Sequence, residues 1–343
     1  MYTFLESQSL WINGLIGLAA LALLVASADY AVQKLIGLSD YFNISATFMG
    51  MTVVSLATSI PEIIAHLTAS VGILRGTINY EIGSAIVLGA NIGSDVVQQT
   101  LIMGIVALMA GGLYFRRYFL WKSMLPMIGT TVMCIVLGLD RHYSRLDGVI
   151  LFGTFVLYTY YLHWDEKKYY KKVAQEQESQ SRPAPETGWQ AAGYALKVIL
   201  AMTVTLFGAQ IVLWITQLTV ERTGIGGSFI GVVTLGVACA LPELTTAISS
   251  VRNQDHGISL GTLVGSNITN PLVAIGGGAL VSTYWVPKPL IAWDLPWETV
   301  TGLILWGLLW FGQGRLRRWS IYYLIALYVL YVGLRAVFFI SDH

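Results

Sequence analysis

The chain has 343 residues, of which 55% are hydrophobic and 11% charged, against roughly 25% charged in an ordinary soluble domain. That balance excludes a water-soluble globular protein, and a formal net charge of +1 gives no argument for a nucleic-acid partner or a large basic surface. Both cysteines, Cys134 and Cys239, fall inside apolar segments, which argues against a disulfide.

A membrane span takes about 20 apolar residues. The chain offers ten such segments, at 10–37, 46–73, 82–110, 119–139, 147–163, 189–218, 227–251, 258–283, 289–312 and 319–340. The runs are too long for barrel strands, and lipid leaves no backbone group unsatisfied, so the segments are expected to be helices. The fold class expected is an all-α membrane protein of ten transmembrane helices. Met1–Glu6 lacks the basic start of a secretory leader, so the first segment reads as a retained helix. No globular extramembrane domain is expected. Numbering the connections in order, fourteen of the 20 Lys and Arg lie on or beside the odd ones and six on or beside the even ones. The positive-inside rule then puts the odd connections in the cytoplasm and both termini outside the cell (plasma or inner) membrane.

Near the end of the first segment, Asp29 reads as a capping or interfacial group. The second segment carries Leu56-Ala57-Thr58-Ser59-Ile60-Pro61-Glu62. A carboxylate at the bilayer centre costs roughly 2.5–3.5 kcal/mol or more, while a proline removes one helical hydrogen bond and frees a carbonyl a turn earlier. Carbonyls at Ala57 and Thr58 are therefore expected beside Glu62. His66, four residues on, shares its helical face; it reads as a packing residue, with a proton or pH-sensing role as the alternative. The third segment contains Gly89-Ala90-Asn91-Ile92-Gly93-Ser94 followed by Asp95. Asp95 stands between a direct ligand or proton site and a group supporting ligands from behind. Trp164–Gly188, with Asp165-Glu166-Lys167-Lys168 and more Lys, Gln, Ser and Pro, reads as a solvated cytoplasmic linker. Beyond it, the seventh segment carries Val237-Ala238-Cys239-Ala240-Leu241-Pro242-Glu243, and the eighth Gly261-Thr262-Leu263-Val264-Gly265-Ser266.

The chain is one unit written twice. Aligned on the two glutamates, Phe48 meets Phe229, Gly50 meets Gly231, and Pro61 meets Pro242. After an insertion around Ile73–Glu81, Gly93-Ser94-Asp95-Val96-Val97-Gln98 meets Gly265-Ser266-Asn267-Ile268-Thr269-Asn270. A duplication accounts for this. The halves expected are 1–163, with its repeat motif in about 46–110, and 189–343, with its motif in about 227–283, joined by the linker 164–188. Five helices per half would make the second copy enter from the opposite side, the inverted arrangement of many secondary transporters.

The four motif segments offer carboxylates, carbonyls, hydroxyls and amides at mid-membrane depth. Such hard oxygen donors suit Ca²⁺, which accepts six to eight ligands in irregular geometry, better than Mg²⁺. A transition metal would want His or thiolate, and Cys239 is the one candidate thiol. Empty, the two glutamates would repel each other. Protons or monovalent cations must then replace the divalent ion, which points to antiport.

These residues resemble the cation/Ca²⁺ exchanger superfamily, and Ala57-Thr58-Ser59-Ile60-Pro61-Glu62 with Gly93-Ser94 is most similar to its Na⁺/Ca²⁺ exchanger branch. The likeness covers nearly the whole chain. It implies an inverted five-plus-five bundle whose second, third, seventh and eighth helices line a site that alternates between the two sides. By position, it implies Ca²⁺ on Glu62 and Glu243 with backbone oxygens of Thr58 and Cys239. It also implies Na⁺ (or H⁺) sites at Ser59, Ser94 and Ser266 and the carbonyls of Ser55 and Gly236, with Gln98 and Asn270 as the central amide or acid pair. The chain departs from the pattern at Cys239-Ala240, where Thr-Ser is usual, at Asn270 for Asp, at Gln98 for Asn, and at Asp95 for Asn. The missing hydroxyls leave the coupling ion open between Na⁺ and H⁺.

Secondary Ca²⁺/Na⁺ antiport is the function these features favour, with H⁺/Ca²⁺ antiport on the same glutamates as the alternative. A channel fits an inverted pair less well, and an intramembrane enzyme would need a nucleophile and base that the motifs lack. The partners expected are the transported ions and the bilayer. No cofactor and no obligate protein partner are expected.

Overall fold

Backbone in an apolar setting must pair with itself, and the apolar segments are accordingly helical. The structure, a computed structural model, describes residues 2–41, 49–110, 114, 115, 117–173, 185, 187–252, 256–316 and 318–342. Phe48, Arg116, Arg317, residues 174–184 of the expected linker and the side chain of Asp29 lie outside the described residues. After a helical turn at Tyr2–Ser7, the chain forms α1 (Leu10–Tyr41), α2 (49–74), α3 (Tyr80–Met109), α4 (Arg117–Leu137) and α5 (Arg145–Val173). The second half continues with α6 (Gly188–Thr223), α7 (227–252), α8 (256–282), α9 (290–311) and α10 (Arg318–Phe338). Six of the described helices, α1, α3, α4, α6, α7 and α10, are long and apolar enough to cross a membrane. This is an integral multi-pass membrane protein.

The helix ends follow local chemistry. Asn79 caps α3 by accepting from Ile82 N at 3.1 Å. Before α5, Ser144 N donates to Asp147 Oδ2 at 2.8 Å while Asp147 N donates to Ser144 Oγ at 3.2 Å, a reciprocal capping box. α6 starts at the Thr187 cap and ends at Gly224, whose φ of +70° suits glycine. α5 differs from expectation: it runs to Val173, ten residues past the predicted span, because Glu and Lys sustain a helix beyond the apolar stretch.

The helices with repeated motifs occupy the middle. Residues 83–100 of α3 and 259–272 of α8 are buried without interruption, whereas Trp11 on α1 and Trp189 on α6 are 88% and 89% exposed, as lipid-facing rings would be. Glycine permits the central crossings. A Cβ on Gly93 would lie 2.7 Å from Val232 Cα, and one on Gly236 would lie 2.8 Å from the Ala90 carbonyl. α3 and α7 therefore meet backbone to backbone. In the same manner Gly265 of α8 lies against Ser55 and the Met51 carbonyl of α2.

Among the described residues, three helices before the linker and three after it contain a wide π turn. Met49–Val54, Gln98–Ile102 and Leu120–Met124 are followed, in the same order, by Gly231–Gly236, Asn270–Ile275 and Leu290–Asp294. Each inserts a residue into the helical ladder, a distortion frequent at functional sites. Two short pairings tie the helix ends: β1 (His142–Tyr143) runs antiparallel to β2 (Tyr284–Trp285), and Tyr114 bridges Arg315. At another end, Asp342 accepts from the backbone N–H of Ser228 at 3.2 Å and from its hydroxyl. Gly226 N there donates to Ile340 O at 2.9 Å.

Candidate cation site

The two motif helices break where their prolines predict. α2 turns at Ser59 and α7 at Ala240, and each proline falls in the first turn of the continuation, Ile60–Leu74 or Leu241–Arg252. A proline there costs no helical hydrogen bond, and the carboxylate after it sits at a helix N-terminus, where the dipole favours negative charge. Glu62 is 1% exposed and Glu243 0%. Glu243 lies within electrostatic reach of Glu62.

The glutamates are held unequally. Ser94 Oγ donates to Glu62 Oε1 at 2.8 Å, and Gln98 Nε2 donates to Ser94 Oγ at 3.0 Å. Glu62 Oε2 and both oxygens of Glu243 have no hydrogen-bond partner among the described residues. Thr58 lies beside Glu243, but its hydroxyl donates to the Ser55 carbonyl at 3.2 Å. Ser266, the counterpart of Ser94, donates to Gln98 Oε1 and to Thr262 O (2.9 Å) instead of to Glu243. Gln98 is one methylene longer than its counterpart Asn270, and that reach claims the serine.

The other expected residues fall as follows. Ser59 Oγ is buried and unpartnered. The Ser55 carbonyl already accepts from Ser59 N at 3.0 Å as well as from Thr58, and the Gly236 carbonyl accepts from Ala240 N at 3.2 Å. Ser55 Oγ donates to Met51 O at 2.8 Å. Cys239 is buried within electrostatic reach of both glutamates. Asn270 Nδ2 donates to Asp95 Oδ1 at 2.7 Å, leaving Asn270 Oδ1 unpartnered. His66 belongs elsewhere: its Nδ1 lies 3.0 Å from Tyr284 OH, which Ser70 Oγ also meets at 2.7 Å. It packs edge-on to that ring, as a packing residue would.

Three buried carboxylate oxygens without a donor, and with no ion pair to balance them among the described residues, need a proton or a cation. The ion pair Arg335 to Asp294, at 3.0 Å, is the one recorded between described residues, and it involves neither glutamate. The donors that converge are carboxylate, hydroxyl and amide oxygen. Among the described residues no three His, Cys, Asp or Glu gather as a transition metal would want. The residues present therefore fit a hard cation.

Sequence reasoning missed a further carboxylate. Glu298 on α9 is buried, accepts from Thr131 Oγ1 at 2.6 Å, and lies within electrostatic reach of Asp95. The signal was present in Leu295-Pro296-Trp297-Glu298, an acid just after a proline in an apolar segment. It lacked a copy, because the equivalent Leu125-Pro126-Met127-Ile128 ends on isoleucine.

The profile of the family described as "Sodium/calcium exchanger protein" matches residues 13–164 and 194–337. The chain is 25% identical to the sodium/calcium exchanger MaX1 of Methanosarcina acetivorans, with 94% of this chain and 97% of that one covered. It is 27% identical to the inner membrane protein YrbG of Escherichia coli, over 77% of this chain and 78% of the relative. Its fold is similar to that of the sodium-calcium exchanger NCX_Mj solved in zero Na⁺ and Ca²⁺, with a TM-score of 0.62 at 21% identity, covering 95% of this chain and 99% of that one.

Proposed function

Because the chain belongs to the sodium/calcium exchanger protein family, we propose that it is a secondary antiporter exchanging Ca²⁺ for Na⁺ by alternating access at a site built on Glu62 and Glu243. The observation that carries this reading is the set of three donor-free oxygens on two buried carboxylates in mutual electrostatic reach. Ca²⁺ takes these oxygens with the backbone oxygens of Thr58 and Cys239. Na⁺ takes the oxygens of Ser59, Ser94, Ser266 and Asn270, the carbonyls of Ser55 and Gly236, and the amide of Gln98. A divalent ion or two monovalent ions neutralise the pair, and a half-filled site carries uncompensated charge that resists reorientation through an apolar core.

The architecture proposed is ten helices in two inverted repeats of five. Its support is the recurrence of three π turns in the same order in both halves, and the two short pairings. Tyr114 before α4 meets Arg315 after α9, and His142 after α4 meets Trp285 before α9. A two-fold axis in the membrane plane exchanges those pairings. α1 and α6 pack against each other through small residues, with Gly17 on Ile215 and Gly208 on Ala20, and we assign to them the sliding gate.

H⁺/Ca²⁺ antiport is the second reading. It is favoured by the buried acids Asp95 and Glu298 and by Cys239-Ala240, which supply no hydroxyl where Thr58-Ser59 supply two. The deciding experiment is uptake of radioactive Ca²⁺ into proteoliposomes, driven by an imposed Na⁺ gradient or by a pH gradient with ionophore controls. Uptake under the Na⁺ gradient is expected. Uptake under the pH gradient alone would transfer the assignment to the second reading.

A further inference from the structure

Glu62 is the end of a chain of hydrogen bonds that starts on a helix outside the motif segments. Thr301 Oγ1 on α9 is shared between Glu298 O at 3.0 Å and Gln99 Oε1 at 3.3 Å. Gln99 Nε2 donates to Asn267 Oδ1 at 2.9 Å, and Asn267 Nδ2 donates to Gln98 Oε1 at 3.0 Å. Gln98 then donates to Ser94, and Ser94 to Glu62. Every member is buried, and every link points its hydrogen toward the carboxylate. A group that receives a hydrogen bond donates a stronger one, and a chain running one way onto a carboxylate oxygen ends in its strongest, charge-assisted link. Glu243 has no such chain among the described residues.

We infer that Gln99 and Thr301, which touch neither carboxylate, are positioning residues that fix Glu62 Oε1 through Asn267, Gln98 and Ser94 and so keep Oε2 aimed at the ion. The site thereby has one stiff wall and one compliant wall, and α9 is wired to the stiff one. This rests on the preceding reading of Glu62 as an ion ligand.

The test is Ca²⁺ binding to the purified full chain by titration calorimetry, with KM and Vmax for gradient-driven uptake. Gln99→Met and Thr301→Val are expected to weaken Ca²⁺ binding roughly threefold to tenfold, the worth of one hydrogen bond. Vmax is expected to hold, and Thr301→Ser, which keeps the hydroxyl, to behave as wild type. On a Ser94→Ala background Gln99→Met is expected to add nothing, because the chain reaches Glu62 only through that serine. Equal weakening by Gln99→Met with or without Ser94 would overturn the inference, as would unchanged affinity in both Gln99→Met and Thr301→Val. If the wild type binds no Ca²⁺, the ion assignment fails, and the same variants read by Na⁺-induced thermal stabilisation decide the positioning role.

Discussion

At the scale of single residues, the duplication hides an asymmetry. Ser94 and Ser266 are equivalent by alignment, yet one braces a glutamate and the other serves Gln98. Ser94→Ala is therefore expected to weaken Ca²⁺ binding more than Ser266→Ala, and calorimetry giving equal losses would count against the geometry. Glu62→Gln and Glu243→Gln are each expected to abolish Ca²⁺ uptake while leaving membrane insertion intact, checked by transport beside a quantitative blot of the membrane fraction. Restoring hydroxyls with Cys239→Thr and Ala240→Ser is expected to raise Na⁺ affinity, read from the Na⁺ dependence of exchange. Both glutamates were legible in the sequence because an acid after a proline in an apolar run is costly wherever it occurs. Which serine serves which acceptor was not legible, since it turns on the extra methylene of Gln98 and the short reach of Asn270. Glu298 met the same criterion as the motif acids and escaped notice only for want of a twin.

At the scale of elements, the bundle centre depends on absent side chains. A β-branched residue at Gly93 or Gly236 would drive carbon into backbone at 2.7–2.8 Å, and overpacking of this kind costs about 1–3 kcal/mol. Gly93→Val and Gly236→Val are expected to lower the melting temperature of the detergent-solubilised protein. Gly129→Ala, which meets nothing within 4 Å, should not. Six of the apolar spans were legible because hydrophobic length is written directly in composition, whereas the end of α5 was not, its helix running ten residues past the apolar stretch. The π turns were not, because one inserted residue leaves the apolar run unbroken; Gly50, Gly231, Gly236 and Pro271 fall within them.

At the scale of the whole molecule, both termini gather beside the α6–α7 connection. Arg222, at the end of α6, donates to Gln8 O at 2.8 Å and to Glu6 O, while the far end of the chain docks on Gly226 and Ser228. From the charge distribution we propose that this end faces outside the cell. Membrane-impermeant thiol reagents are expected to label Thr3→Cys and Thr223→Cys in intact cells and to spare Gln313→Cys; the native thiols, both buried, give a silent background. The opposite pattern would invert the topology.

The seat of Asp342 on Ser228 also governs how the protein can be handled. Arg335 reaches the same serine at 2.6 Å, so a reporter fused directly behind His343 would tug on the first turn of the helix that carries Glu243. Fluorescent or affinity fusions at this terminus need a flexible spacer, and a transport defect in a spacerless fusion would report a strained anchor rather than a damaged ion site.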